Sequence, residues 1–158
     1  ADGVVKLEPG QITAVSINWG DSQSNFQRRE DRWLDRATGL ILTEPNTVRL
    51  NQAIKFMHSS APVRVLAPEQ LAAIPADAYG LAKPRFTVQL FSADGLYMAI
   101  HFGNRANGGI LYYMRITGRG ETYLMSGFVG KAWLKLKEQP ESVSGQNLSK
   151  MRHHLGGE

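Results

Sequence analysis

Residues 84–102 read Pro84-Arg85-Phe86-Thr87-Val88-Gln89-Leu90-Phe91-Ser92-Ala93-Asp94-Gly95-Leu96-Tyr97-Met98-Ala99-Ile100-His101-Phe102. Phe86, Val88 and Leu90 alternate with Thr87 and Gln89, the period of two that marks a half-buried strand. Ala93-Asp94-Gly95 follows, and an Asp-Gly step between alternating runs is the strongest short-range hairpin signal. The chain then returns, with Met98, Ile100 and Phe102 on one face and Tyr97, Ala99 and His101 on the other. Pro84 suits the start of the first strand, because it has no N–H to give to a ladder. These residues specify an antiparallel pair with one dry face and one wetter face.

The pattern continues toward the C-terminus. Gly103 to Gly109 reads as a long glycine-rich turn, Ile110 to Thr117 as a third strand, and Glu121 to Met125 as a fourth. Gly118 and Gly120, either side of Arg119, are expected at positive φ. Phe128, Val129, Trp133 and Leu136 then recur at helical spacing over 128–136. Toward the N-terminus, residues 12–19 alternate as a strand. Asn25–Arg29 and Arg32–Asp35 read as a hairpin with Phe26 and Trp33 turned inward. Arg28, Arg29, Asp31, Arg32 and Asp35 are expected to form cross-strand ion pairs there.

Glu44-Pro45-Asn46-Thr47 opens a helix that Asn46 or Thr47 can cap. Its apolar stripe is Val48, Leu50, Ala53, Ile54, Phe56 and Met57, and it ends near His58-Ser59-Ser60. Val63–Leu66 is a short strand, Pro68–Ile74 a short helix, and 75–84 a loop. The order strand, turn, strands, helix thus occurs in 12–59 and again in 86–136. The expected fold is α+β: antiparallel meanders with helices packed on one side, arranged as two similar lobes. Residues 1–136 form the α+β domain, with lobes at 10–60 and 61–136. Residues 137–158 are a polar tail in which Leu148, Met151 and Leu155 share helical spacing.

Composition excludes several classes. Hydrophobic residues are 42% of the 158 and charged residues 20%, too apolar for a disordered chain. No run approaches the roughly 20 apolar residues of a membrane span. There is no cysteine, which removes a disulfide scaffold, a thiol nucleophile and a Cys-ligated zinc site. The chain begins Ala1-Asp2-Gly3 rather than with Met, which is consistent with removal of a leader or an N-terminal anchor. The net charge is +4, and the excess lies in 61–136, where eight basic residues face four acidic ones. Such a field favours anionic partners, whether membrane surface, polyanion or nucleic acid.

The chemistry-bearing residues do not assemble into a catalytic motif. His153-His154 are neighbours in sequence, so on a helix they face apart and make a poor metal pair. His58-Ser59-Ser60 lacks the Gly-x-Ser-x-Gly elbow of a hydrolase nucleophile. The glycines of 103–109 lack both the Lys-Ser/Thr ending and the following helix of a phosphate loop. Arg105 within that loop is an anion-binding candidate. Tyr113, Arg115 and Arg119 form an aromatic and basic strand surface of the kind that stacks single-stranded bases. The binding candidates are therefore Arg105, Tyr113, Arg115 and Arg119, with no catalytic residue, metal ligand or cofactor expected. A hydrolase reading would need His101 in a pocket beside an acid.

Several of these pieces occur together elsewhere. Arg28-x-x-Asp31-Arg32-Trp33 is followed by a Pro-led helix. Then come Tyr79-Gly80-Leu81-x-x-Pro84-x-x-Thr87-Val88-x-Leu90, the Ala-Asp-Gly turn, Ile100-x-Phe102-Gly103 and Thr122-Tyr123-Leu124-Met125. Over residues 10–136 this order resembles the bacterial family called domain of unknown function 4340. The resemblance implies a periplasmic or other extracytoplasmic domain behind an N-terminal membrane anchor, accessory to gliding-type ABC-transporter components. It implies a protein partner in the cell envelope, and it supplies no catalytic residues to carry over. A polyanion or single-stranded nucleic-acid binding module is the alternative that the charge and the Tyr/Arg strand suggest.

Overall fold

A computed structural model describes residues 3–138. The tail beyond it, with the Leu148, Met151 and Leu155 pattern and the His153-His154 pair, lies outside the described residues. The chain forms strands β1 (Ala14–Asn18), β2 (Gln23–Arg29), β3 (Arg32–Asp35) and β4 (Leu40–Ile41), then helix α1 (Glu44–Ser59). Strand β5 (Arg64–Leu66) and helices α2 (Pro68–Ala72) and α3 (Ala76–Tyr79) follow. The second half is β6 (Phe86–Ser92), β7 (Gly95–Ala106), β8 (Leu111–Ile116), β9 (Thr122–Ser126) and α4 (Gly127–Glu138). The fold is α+β, with one antiparallel sheet of nine strands in the order β4-β3-β2-β1-β6-β7-β8-β9-β5.

Each half is a four-stranded meander that ends in a long helix. The meanders meet along β1 and β6, where Val15 lies opposite Leu90 and Ile17 opposite Val88. Helices α1 and α4 then lie side by side over the same face. Leu50, Ala53, Ile54 and Met57 of α1 and Val129, Trp133 and Leu136 of α4 are buried against the strands' apolar positions in one continuous core. Burying such a face stabilises the fold in proportion to the apolar area withdrawn from water. Trp33 is wholly buried, with its indole N–H donated to Asn51 at 2.8 Å, so the outer hairpin is pinned to α1. At Gly130 a Cβ would stand 2.7 Å from the Tyr112 ring, and this glycine lets α4 approach the sheet closely.

Several expectations need correction. Arg28 forms no ion pair among the described residues. Its guanidinium lies 4.3 Å from the Trp33 ring centroid and donates to the carbonyls of Ile12 and Pro9, while Asp35 accepts from Ala37 N–H. The N-cap of α1 is Thr43. Asn46 is a buried first-turn residue that accepts from Arg49. Val48, placed in the apolar stripe, is exposed. Gly118 has φ +90°, but Gly120 is not at positive φ. Residues 103–106 continue β7 instead of turning. The loop 75–84 contains α3, whose Tyr79 ring packs edge-on against Tyr113, so this short helix rests on the face opposite α1 and α4.

Candidate binding face

Helices α1 and α4 cover one face of the sheet. The other face is covered at its β5/β9 end, where Leu66, Leu81, Thr122 and Leu124 are buried and Tyr79 packs on Tyr113. It is polar and open to half-buried across β2, β1, β6 and β7. In β1, β2, β6 and β7 alternation places polar residues there between the buried ones. Register then aligns those residues across the strands. Gln23 of β2 lies opposite Asn18 of β1, and Asn18 opposite Thr87 of β6. Thr87 faces His101 of β7, His101 faces Arg115 of β8, and Arg115 faces Thr122 of β9. One uncharged-to-cationic row thus crosses six neighbouring strands. A parallel row runs Asn25, Ser16, Gln89, Ala99.

Hydrogen bonds hold local parts of both rows. Ser16 Oγ donates to Asn25 Oδ1 at 2.6 Å, and Gln23 Nε2 donates to Ser16 Oγ at 2.9 Å. His101 Nδ1 lies 3.0 Å from Thr87 Oγ1, and its Nε2 lies 2.8 Å from Thr117 Oγ1. In neutral imidazole one nitrogen donates and the other accepts, and either hydroxyl can answer either role. Partial burial pushes the His101 pKa below its ordinary value, and the neighbouring Arg115 charge lowers it further. The ring is therefore neutral at pH 7. Arg115 Nη2 donates to Thr122 Oγ1 at 3.3 Å. The strands hold a single carboxylate, Asp35, which lies opposite Phe26 on the helix side. The open face is accordingly rich in short hydrogen-bonding groups, with positive charge at Arg115 and, toward its rims, at Arg29, Arg32 and Arg64.

The four residues singled out from the sequence do not converge. Tyr113 and Arg115 belong to the open face. Arg105 does not. Between Phe102 and Arg105 strand β7 advances three residues while β8 advances two, from Met114 to Tyr112. This bulge reverses the alternation. Arg105 therefore lies on the helix side, with its guanidinium 5.8 Å from the Tyr112 ring centroid. Arg119, in the β8–β9 turn, comes within 3.5 Å of the hydroxyl of Tyr123, another helix-side residue. Ser16, Gln23, Asn25, Thr87, Gln89 and Thr117 were not singled out. Their signal was the polar half of each alternating run, but only pairing between β1 and β6 joins them. A second bulge, at Leu90/Phe91, places Tyr97 against the core with its hydroxyl accepting from Lys6 N–H, rather than beside His101.

His58 has a local role. Its Nδ1 lies 2.9 Å from Val5 O and its Nε2 3.5 Å from Glu8, tying the N-terminal segment to the end of α1. Ser59 donates its hydroxyl to Lys55 O, the ordinary back-bond of a helical serine. Among the described residues no three His, Asp or Glu side chains converge as metal ligands, and no helix is long and apolar enough to cross a membrane. No family model matches the chain, and no curated protein or solved structure matches it. The class that fold and site define is an α+β protein built on one antiparallel sheet, with one face under α1 and α4 and a partly open polar face opposite.

Proposed function

We propose that the protein is a non-enzymatic interaction domain that recognises a protein partner across its open sheet face. The observation that carries this reading is the polar row from Gln23 to Arg115, aligned by strand register, locally hydrogen-bonded and flanked by Tyr113. Short side chains with fixed donors and acceptors match a wet protein interface. Tyr and Arg are the residue types that most often anchor one. A periplasmic or other extracytoplasmic setting, as accessory to a membrane transporter complex, is supported by the resemblance carried by Tyr79-Gly80-Leu81, Pro84 and the Asp-Gly turn.

The test is recovery of partners from detergent-solubilised envelope with the full chain, read by mass spectrometry. The unaltered protein should recover transporter subunits, and Tyr113→Ala with Arg115→Ala should lose them. Equal recovery by both would sink the assignment to the open face. Recovery of nothing beyond an inert folded control would sink the partner reading itself.

One observation favours a second reading. Tyr113 and Arg115 share a strand face that bears no strand carboxylate, as a platform for single-stranded nucleic acid would require. Binding to an oligonucleotide should then weaken several-fold or more as salt rises, because phosphate contacts release counterions. Salt-independent or absent binding removes that reading.

A further inference from the structure

The helix side carries a second surface of different chemistry. Between α1 and α4 runs a groove of about 310 Å³ lined by Arg49, Gln52, Phe56, Phe128, Lys131 and Lys135. Beside it is a second groove of about 380 Å³, lined by Arg105, Leu134 and Lys137 and sharing Lys131 and Lys135. Among the described residues no carboxylate lines either groove. Of these five cations, Lys137 alone forms an ion pair among the described residues, with Asp21 at a loose 3.9 Å. Lys131 and Lys135 stand four apart on one helix, a like-charge spacing that costs the isolated helix stability.

Apolar side chains interrupt the charge. Phe128 and Val48 are each 50% exposed, and Phe128 meets Phe56 edge-on with ring centroids 5.1 Å apart. The cations do not close around one point. They lie across two adjacent grooves, with Phe56 and Phe128 lining the first, as suits an extended anionic surface better than a single small anion. Cations at headgroup level with aromatic and aliphatic side chains between them are the composition of an interfacial helix.

We propose that the α1/α4 face docks on a bilayer surface rich in anionic phospholipid. Phe128 and Val48 enter the headgroup and acyl boundary, and Arg49, Arg105, Lys131, Lys135 and Lys137 meet the phosphates and carboxylates. This face lies opposite the polar sheet face, so the inference stands apart from the proposed partner. It also leaves that partner's surface free while the protein is on the membrane.

Co-sedimentation of the full chain with vesicles tests it. One set is phosphatidylcholine alone. The other is phosphatidylcholine with phosphatidylserine in roughly a two to one ratio. The chain should sediment with the mixed vesicles only, and less as salt rises. The double variant Lys131→Gln, Lys135→Gln should lose roughly tenfold or more of its partitioning, since each cation near such a surface contributes about fivefold. Phe128→Ser should weaken binding by a smaller factor that persists at high salt. Arg115→Gln, on the opposite face, should bind like the unaltered chain.

Equal binding to both vesicle types, binding to neither, or undiminished binding by a double variant whose circular dichroism shows it folded would each overturn the proposal. So would displacement by soluble glycerophosphoserine, which would reveal a headgroup pocket, or capture of a labelled oligonucleotide in place of vesicles.

Discussion

His101 shows how one residue's surroundings set its charge. It sits among hydroxyls with Arg115 on the next strand, and both partial burial and that charge lower its pKa. The unfolded chain therefore takes up the proton first as pH falls, at about 6.5 for a free imidazole. Where the unfolded state holds more protons, stability rises with pH. The contribution from neutral His101 is thus complete above about pH 6.5 and declines as pH falls through that value toward the folded pKa. Urea denaturation at a series of pH values should show this decline in the unaltered protein and a shallower one in His101→Gln. Identical slopes would mean that the imidazole is not held neutral by its site. The residue's placement on the wetter face was legible from its alternation with Ile100 and Phe102. Its two threonine partners were not, because Thr87 arrives from β6 and Thr117 from the turn after β8.

Among the elements, α4 is the most constrained. Its buried stripe follows from helical spacing, but its distance from the sheet is set by one missing side chain. A Cβ at position 130 would meet the Tyr112 ring at 2.7 Å, and that ring is hemmed in by Phe102 edge-on and by the Arg105 guanidinium. Alanine favours a helix by about 1 kcal/mol over glycine. Overpacking a close contact costs roughly 1–3 kcal/mol. The steric effect should win, so Gly130→Ala should lower stability in chemical denaturation by about 1 kcal/mol. Adding Tyr112→Leu should recover the loss. A stabilised Gly130→Ala would show that the helix lifts at little cost. Elsewhere the sequence was a good guide to elements. It marked the Asp-Gly hairpin and the span of α1, both governed by local backbone and side-chain preferences. It missed β4, whose two residues, Leu40 and Ile41, are too few for any period to register. It also missed α3, a single turn held by Asn104, whose side-chain N–H groups reach the carbonyls of Asp77 and Ala78.

For the molecule as a whole, the decisive junction is β1 against β6. The two meanders share that pairing, the α1/α4 contact and one core. Ile17 is fully buried at the junction, opposite Val88 on one side and Ser24 on the other. Ile17→Ala should cost about 2–5 kcal/mol, the usual range for removing a large buried aliphatic side chain. The loss should appear as one transition. Amide hydrogen exchange should accelerate together in β3 and β8, at opposite ends of the sheet. Acceleration confined to β1–β4 would instead mean that the halves unfold as separate units. The sequence by itself determined the alternating strands, the Asp-Gly turn, the helical stripes and the surplus of positive charge, because each rests on neighbours within a few residues. Tertiary structure decided the rest. It brought β1 to β6 across about 70 residues of chain, a closure whose entropy only a shared core can offset. It placed β5 beside β9 at the far edge. Through the bulge after Phe102 it set Arg105, read as a loop residue, on the cationic helix side of a strand, because one extra residue in a ladder reverses every side chain beyond it.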